Sequence, residues 1–294
     1  MAKSRSAPLV ELAPAKVNLT LSVLGRRADG YHSIDSLVTF AGVFDRLTLA
    51  LDASLALAVR GATADNAGPI EDNLVLKAAR GLAVEIKGLK LGRFTLEKRL
   101  PVAAGLGGGS SDAAAALRLL ARANRLQLSD KRLYRVARNV GADVPVCLDP
   151  RPRRMRGIGE ILSPPLSLPK LAVVLVNPGV AVPTREVFAI LGLKPGARHR
   201  RAMRSHPLPP NRADLIKVLA DARNDLEPAA IKLQPGIGQV LDTLRRQEGC
   251  DLARMSGSGA TCFGLFRSMR AAEFAARNLS SMHSRWWVKA TVLG

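Results

Sequence analysis

The stretch Pro101-Val102-Ala103-Ala104-Gly105-Leu106-Gly107-Gly108-Gly109-Ser110-Ser111-Asp112 leads straight into four alanines and a helical pattern reaching Ala123. Four of the five residues from Gly105 to Gly109 are glycine, and two serines follow. Glycine lets the backbone turn tightly and bring its N–H groups against a ligand, with no Cβ in the way. A helix beginning directly afterwards adds unpaired N–H groups and a partial positive charge, which together suit a phosphate. A flexible surface turn is the plain alternative, but a turn rarely needs four glycines and two hydroxyls at a helix start. The stretch predicts a phosphate cradle.

Neither common cradle fits. A P-loop has Lys after its last glycine, where this chain has Ser110 and Ser111. The dinucleotide fingerprint fails as well, because Ser110 stands where its third glycine belongs. A nucleoside triphosphate held by backbone and hydroxyls is the expectation.

The 294 residues suit two domains, at roughly 150 residues each. A hydrophobic content of 47% supplies a substantial core and argues against disorder. The net charge of +20 favours polyanionic partners, whether nucleic acid or phosphorylated small molecules. Only 4% of residues are aromatic, which is poor material for stacking on single strands. Part of the basic excess sits in two clusters, Arg151, Arg153, Arg154, Arg156 and Arg198, Arg200, Arg201, Arg204, read by default as solvated loop charge. Cys147, Cys250 and Cys262 are widely spaced with no C-x-x-C pair, which argues against a disulfide framework or zinc site and for a reducing compartment. The opening Met1-Ala2-Lys3-Ser4-Arg5 lacks the apolar stretch of a leader, and no apolar run approaches the ~20 residues of a membrane span. A soluble cytoplasmic protein is expected.

Along the chain, Val17, Leu19, Leu21 and Val23 alternate with Lys16, Asn18, Thr20 and Ser22, a strand with Lys16 and Asn18 side by side on its polar face. A turn at Asp29-Gly30 precedes Tyr31 and His32. Leu47, Leu49 and Leu51 mark a second strand, Leu55, Leu57 and Val59 a third. Residues 73–85 read as a helix, and Phe94, Leu96 and Lys98 share one face of a strand entering the glycine stretch. This is a mixed α+β order. Ser129 is the expected cap of a helix that Gly141 ends in the left-handed conformation. Asp143 follows in the apolar connection V-G-A-D-V-P-V, where it reads equally as a structural Asp or as a reactive base. The Pro-, Gly- and Arg-rich residues 151–169 are placed as the domain junction. Beyond it come a strand over 171–176, a helix capped by Thr184, an exposed loop over 194–211, and two helical patterns over 215–233 and 237–248. A second glycine loop (256–261), a strand (262–266), a helix (271–279) and a strand (288–292) close the chain.

Three words in order, A-P-A-K-V-N-L, P-x-x-A-G-L-G-G-G-S-S-D-A and M-S-G-S-G-A-T-C-F, resemble the GHMP kinases, small-molecule kinases with this glycine loop in place of a P-loop. The further words R-A-D-G-Y-H-S, E-D-N-L, V-G-A-D-V-P-V and R-N-D-L-E narrow the resemblance to one branch. That branch implies ATP-dependent phosphorylation of the 2-hydroxyl of 4-diphosphocytidyl-2-C-methyl-D-erythritol, a step of non-mevalonate isoprenoid biosynthesis. The resemblance implies an N-terminal α/β ATP-binding domain over 1–160 and a C-terminal ferredoxin-like domain over 161–294, with substrate between the two. It places the residues from Pro101 to Ser111 around the ATP phosphates, with Asn73 and Lys98 near the adenine side. Asp143 falls beside the attacked hydroxyl, with Lys16 next to it. Asn18, Tyr31, His32, Thr184 and Phe188 fall on the cytidine substrate, with His32 on the cytosine edge and Tyr31 and Phe188 on either side of the base.

Phosphoryl transfer asks for position and charge stabilisation more than covalent chemistry. Asp143 is the expected proton acceptor and Lys16 the group that holds hydroxyl and γ-phosphate in register. Mg²⁺ is expected on the phosphates, with Ser110 or Ser111 as a ligand. A different GHMP kinase, acting on an alcohol such as homoserine, and a nucleic-acid-binding protein are the rival readings. No specific nucleic acid or membrane partner is expected, and the chain is a monomer or a homodimer.

Overall fold

The structure, a computed structural model, describes residues 7–51, 54–199 and 208–294. The leader reading at residues 1–5 and Arg200, Arg201 and Arg204 lie outside the described residues. The strands are β1 (Leu9–Asn18), β2 (Ser22–Arg26), β3 (His32–Ala50), β4 (Ala56–Arg60), β5 (Arg93–Glu97), β6 (Arg153–Gly157), β7 (Ile161–Leu162), β8 (Leu171–Asn177), β9 (Cys250–Met255), β10 (Cys262–Phe266) and β11 (Trp287–Leu293). The helices are α1 (Leu74–Glu85), α2 (Gly108–Ala123), α3 (Lys131–Val140), α4 (Val144–Leu148), α5 (Thr184–Ile190), α6 (Arg212–Asp221), α7 (Glu227–Leu233), α8 (Gly236–Arg245) and α9 (Met269–Met282). Packing gives two compact units. One comprises Met1–Ala15, Phe44–Val102 and Gly107–Pro150, the other Lys16–Val43, Ala103–Leu106 and Arg151–Gly294. These segments interleave, so the units do not follow a single boundary at residue 160.

In the first unit the end of β3 pairs antiparallel with β5, from Arg46↔Glu97 to Ala50↔Arg93, and β4 runs parallel to β5. Parallel neighbours need a crossover, and α1 supplies it. Asn73 caps α1 by accepting from the Val75 N–H at 3.0 Å, and Val75, Leu76, Ala78, Ala79 and Leu82 form its buried face. Every residue of α2 from Ser111 to Ala121 is buried, which marks it as the helix the unit packs around. The alanines at 113–116 leave no bulk to hold neighbours off. Buried Arg118 is compatible with that position because Glu11 and the carbonyls of Leu12 and Cys147 take up its guanidinium. The cap of α3 is Asp130, accepting from Arg132 N–H at 2.9 Å, one residue later than Ser129. Gly141 is extended at φ 175°, not left-handed.

In the second unit β2 and the start of β3 form an antiparallel hairpin with Arg26 opposite His32. The residues expected to be a domain junction begin where the chain leaves the first unit for the last time, after Pro150, but are not a linker: they add β6 to β3, from Ile34↔Gly157 to Val38↔Arg153, and β7 to β6. Arg156 accordingly pairs with buried Asp35 at 3.2 Å, and Arg153 donates to the Ser163 carbonyl, so these two are not solvated loop charge, whereas Arg151 is exposed ahead of β6. Strands β8 to β11 are antiparallel in the order β11-β8-β10-β9, with α5 to α8 between β8 and β9 and α9 between β10 and β11. That β-α-β-β-α-β order is the ferredoxin-like arrangement expected. Its core includes Val174, Val176, Val240, Leu244, Phe266, Ala275 and Leu279. Pro183 stands at the N-cap of α5, and Thr184 is its first helical residue rather than its cap. The strand read through residues 16–23 is broken. β1 ends at Asn18, Leu21 bridges to Asn224, and β2 begins at Ser22. Both parities are buried there, so Lys16 and Asn18 do not form a solvent-facing row.

Candidate active site

Three words far apart in sequence meet at one point of the second unit. The Lys16 N–H donates to the Leu106 carbonyl at 2.8 Å, and the Thr261 N–H donates to the Ala104 carbonyl at 3.0 Å. Between them, Ser256 Oγ accepts from the Asn18 N–H at 3.0 Å and donates to the Gly105 carbonyl at 2.9 Å. A Cβ on Gly105 (φ 74°) would strike the Ser256 carbonyl and come within 2.9 Å of the Gly259 carbonyl, so only glycine fits this crossing. Lys16 is 4% exposed, and its Nζ donates to Asn18 Oδ1 at 2.9 Å. Asn18 Nδ2 donates in turn to Ser36 Oγ at 2.7 Å, which dictates the orientation of the amide. From behind, Asn224 Nδ2 donates to the carbonyls of Met255 and Gly257 and so shapes the second glycine loop.

The rest of the glycine stretch belongs to the first unit. Gly107 is the N-cap of α2 in the left-handed conformation (φ 61°), and it has no side chain to cover the first-turn amides of Gly108, Gly109 and Ser110. Pro101 and Val102 are half-buried and lead into Ala103 at φ 51°. Ser111 is fully buried and its hydroxyl donates to the Pro14 carbonyl at 2.8 Å, whereas Ser110 is half-buried. Beneath this turn lies a buried ion cluster. Lys98 pairs with Asp45 and, at 2.8 Å, with Asp112, and Asp45 also accepts from the Leu100 N–H at 2.9 Å. The backbone of Gly108 rests over the Lys98 ammonium, 3.5 Å from where its Cβ would be. Burial, with the Asp45 charge added, pushes Asp112 up to about 7 against the pull of Lys98. Burial opposes the charge on Lys98, but Asp112 and Asp45 hold its pKa above the ordinary value. Asp112 Oδ1 is buried with no hydrogen-bond partner among the described residues.

The structure thus brings Lys16 and Asn18 together and uses the Lys98 ammonium inside a carboxylate pair. Asn73 engages its oxygen in capping α1. Asp143 is half-buried at the N-cap position of α4, in front of five buried residues. In the substrate set, Tyr31 is 60% exposed. The ring against Phe188 is that of His32, stacked at 4.6 Å and 24°. His32 Nε2 is buried without a hydrogen-bond partner among the described residues. Burial, and secondarily the Arg26 charge, hold the imidazole below its ordinary pKa. Thr184 Oγ1 shares a hydrogen bond of 2.8 Å with Ser258 Oγ on the second glycine loop. Sequence reasoning passed over Asp45, Asp112, Ser36, Asn224 and Ser256. Three of these, Asp112, Asn224 and Ser256, stand inside the words it quoted, but their partners are distant in the chain.

The family model "GHMP kinases N terminal domain" matches residues 73–149, and "GHMP kinases C terminal" matches residues 208–284. A 4-diphosphocytidyl-2-C-methyl-D-erythritol kinase of Methylobacterium radiotolerans is 59% identical over 289 residues, 97% of this chain and 99% of its own length. One of Xanthobacter autotrophicus is 57% identical, covering 96% of this chain and 97% of its own. A crystal structure of 4-(cytidine 5'-diphospho)-2C-methyl-D-erythritol kinase matches with a TM-score of 0.75 at 36% identity, covering 97% and 99% of the two chains. Homoserine kinase from Cytophaga hutchinsonii shares the fold, with a TM-score of 0.69 at 19% identity.

Proposed function

The chain belongs to the GHMP kinases, and from that membership we propose that it transfers the γ-phosphoryl group of ATP to the 2-hydroxyl of 4-diphosphocytidyl-2-C-methyl-D-erythritol, a step toward isoprenoid precursors. The observation that carries this reading is the whole-length likeness to kinases named for that substrate. The convergence of the three family words on Ser256 supports it.

In this reading the amides of Gly108, Gly109 and Ser110 and the helix start hold the phosphates. Asp143 accepts the proton of the attacking hydroxyl, and Lys16 steadies the oxygen anion that forms. The carboxamide of Asn18, oriented by Ser36, aims the Lys16 ammonium. Mg²⁺, when bound, neutralises charge on the β- and γ-phosphates. Ser110 offers the better hydroxyl for it, since Ser111 is buried and already donates to Pro14. Asn73 and Lys98 act on the nucleotide side, Lys98 through the turn it supports. His32 reads the cytosine edge with Phe188 behind it, Tyr31 closes the open side, and Thr184, bonded to Ser258, contacts the substrate. Cytoplasmic residence belongs to the same proposal; no helix among the described residues is long and apolar enough to cross a membrane.

The test is direct. Incubation with ATP, Mg²⁺ and 4-diphosphocytidyl-2-C-methyl-D-erythritol should give ADP and a new phosphomonoester resonance by phosphorus NMR. Homoserine and mevalonate in the same assay should give none. Transfer to one of those alcohols in place of the cytidine compound would overturn the substrate assignment.

A further inference from the structure

We infer that Arg26 is the positioning residue of the base pocket, because its guanidinium ties the turn in front of His32 to the segment behind Phe188. The inference rests on the reading that His32 faces the cytosine. Arg26 ends β2 directly opposite His32 in the hairpin register. Its Nε donates to the Gly30 carbonyl at 3.2 Å, two residues before His32. Its Nη1 donates to the Leu193 carbonyl at 3.2 Å, five residues after Phe188. The main chain repeats the tie. The Arg26 N–H donates to Ala197 at 2.9 Å, and the Gly196 N–H donates to the Arg26 carbonyl at 2.8 Å. One side chain therefore holds both walls of the His32–Phe188 stack in register. A planar fork with several donors suits that task, and a point-like ammonium does not.

The neighbouring arginine shows the contrast. Arg27 pairs at the surface with Asp29, both 45% exposed, and such pairs contribute little.

Arg26 also bears on the chemistry of the ring. A neutral imidazole has one donor and one acceptor, as a cytosine edge requires, whereas an imidazolium has two donors and meets the exocyclic amino group with a like group. Burial first, and the Arg26 charge second, disfavour the imidazolium of His32. The other charged residues on the segments that carry His32 and Phe188 are the Arg27–Asp29 pair in the turn, exposed Arg185 and Glu186 on α5, exposed Lys194 and Arg198 beyond α5, and Asp35 further along β3, which is engaged by Arg156. Protonation of His32 on the acid side should weaken the cytidine substrate. Loss of the Arg26 charge should bring that weakening to higher pH.

The experiment compares full-length wild type with His32→Ala, Arg26→Met, Arg26→Lys and Arg27→Met. KM for each substrate is measured across about pH 5.5–8.5, and the His32 ring is titrated by proton NMR. Arg26→Met should raise KM for the cytidine substrate about tenfold, leave KM for ATP unchanged and move the His32 titration upward. Arg26→Lys should keep the titration near that of wild type yet still raise KM for the cytidine substrate. Arg27→Met should change neither. Wild-type KM and titration in Arg26→Met would overturn the inference, as would a parallel rise in both KM values. If His32→Ala leaves the cytidine KM unchanged, the base-pocket reading itself fails. In that case an unmoved His32 titration in Arg26→Met would separately remove the electrostatic half of the tie.

Discussion

Ser256 donates its hydroxyl proton to the carbonyl of Gly105 at 2.9 Å, and by this bond the second glycine loop holds the first. The same oxygen accepts from Asn18, so one fully buried hydroxyl serves two backbones. Ser256→Ala strands a buried carbonyl and a buried N–H, which should cost about 1–3 kcal/mol each at most. Urea unfolding should show the loss of stability, and KM for ATP should rise with it. Unchanged stability and KM would mean that water replaces the hydroxyl without loss.

Gly107 caps α2 at φ 61°, a conformation that costs a β-branched residue more than about 1 kcal/mol. Gly107→Val should lower ATP affinity about tenfold or more while the far-ultraviolet circular dichroism stays native. Titration of a non-hydrolysable ATP analogue checks this. Full affinity in a folded variant would reduce the stretch to a plain turn.

Asp143 stands at the start of α4 in the proposed role of proton acceptor. Asp143→Asn should lower kcat by about two to four orders of magnitude with ATP binding intact. Single-turnover kinetics separate the two. Near-normal turnover would leave Asp143 a structural role only.

Lys98 neutralises two buried carboxylates, and removing one partner of such a cluster is strongly destabilising. Lys98→Met should therefore lose about 3–5 kcal/mol. Asp112→Asn should be tolerated much better, since an amide still accepts from Lys98 and carries no charge. The pH dependence follows from the same group. The folded pKa of Asp112 is raised to about 7, above its unfolded value, so the folded state retains a proton that the unfolded chain releases. Its contribution to stability is greatest below the unfolded pKa and is lost as pH rises through about 7. Thermal unfolding of wild type against Asp112→Asn should show that slope only in the former.

Local signals were legible in the chain, and distant pairings were not. The glycine stretch, helix α1, the apolar run of β8 and the strand and helix that close the chain were readable because each is decided by neighbours in sequence. Most of β3 was not, because residues 35–41 are buried on both faces and show no alternation. β6 was hidden by its arginines, which read as loop charge until Asp35 and the Ser163 carbonyl take up two of them. α4 was masked by its early proline, which is acceptable only in a first turn. In the site, Lys16 and Asn18 were legible as a pair, while Asp45, Asp112 and Arg26 were not. Asp45 and Asp112 meet at Lys98, Arg26 reaches Leu193 far along the chain, and no periodicity announces such a meeting.

The strand order β11-β8-β10-β9 has a consequence for the time course of synthesis. β8 is the run Leu171-Ala172-Val173-Val174-Leu175-Val176-Asn177, apolar as far as Val176, uncharged and without proline. Both of its neighbours are made after it, β10 from Cys262 onward and β11 only from Trp287. While the ribosome works through the residues between, this run has two open edges, and such segments associate readily. A chain stopped before Trp287 keeps one edge open permanently. Such nonsense fragments should accumulate as aggregates or chaperone clients, even though both glycine loops are already complete.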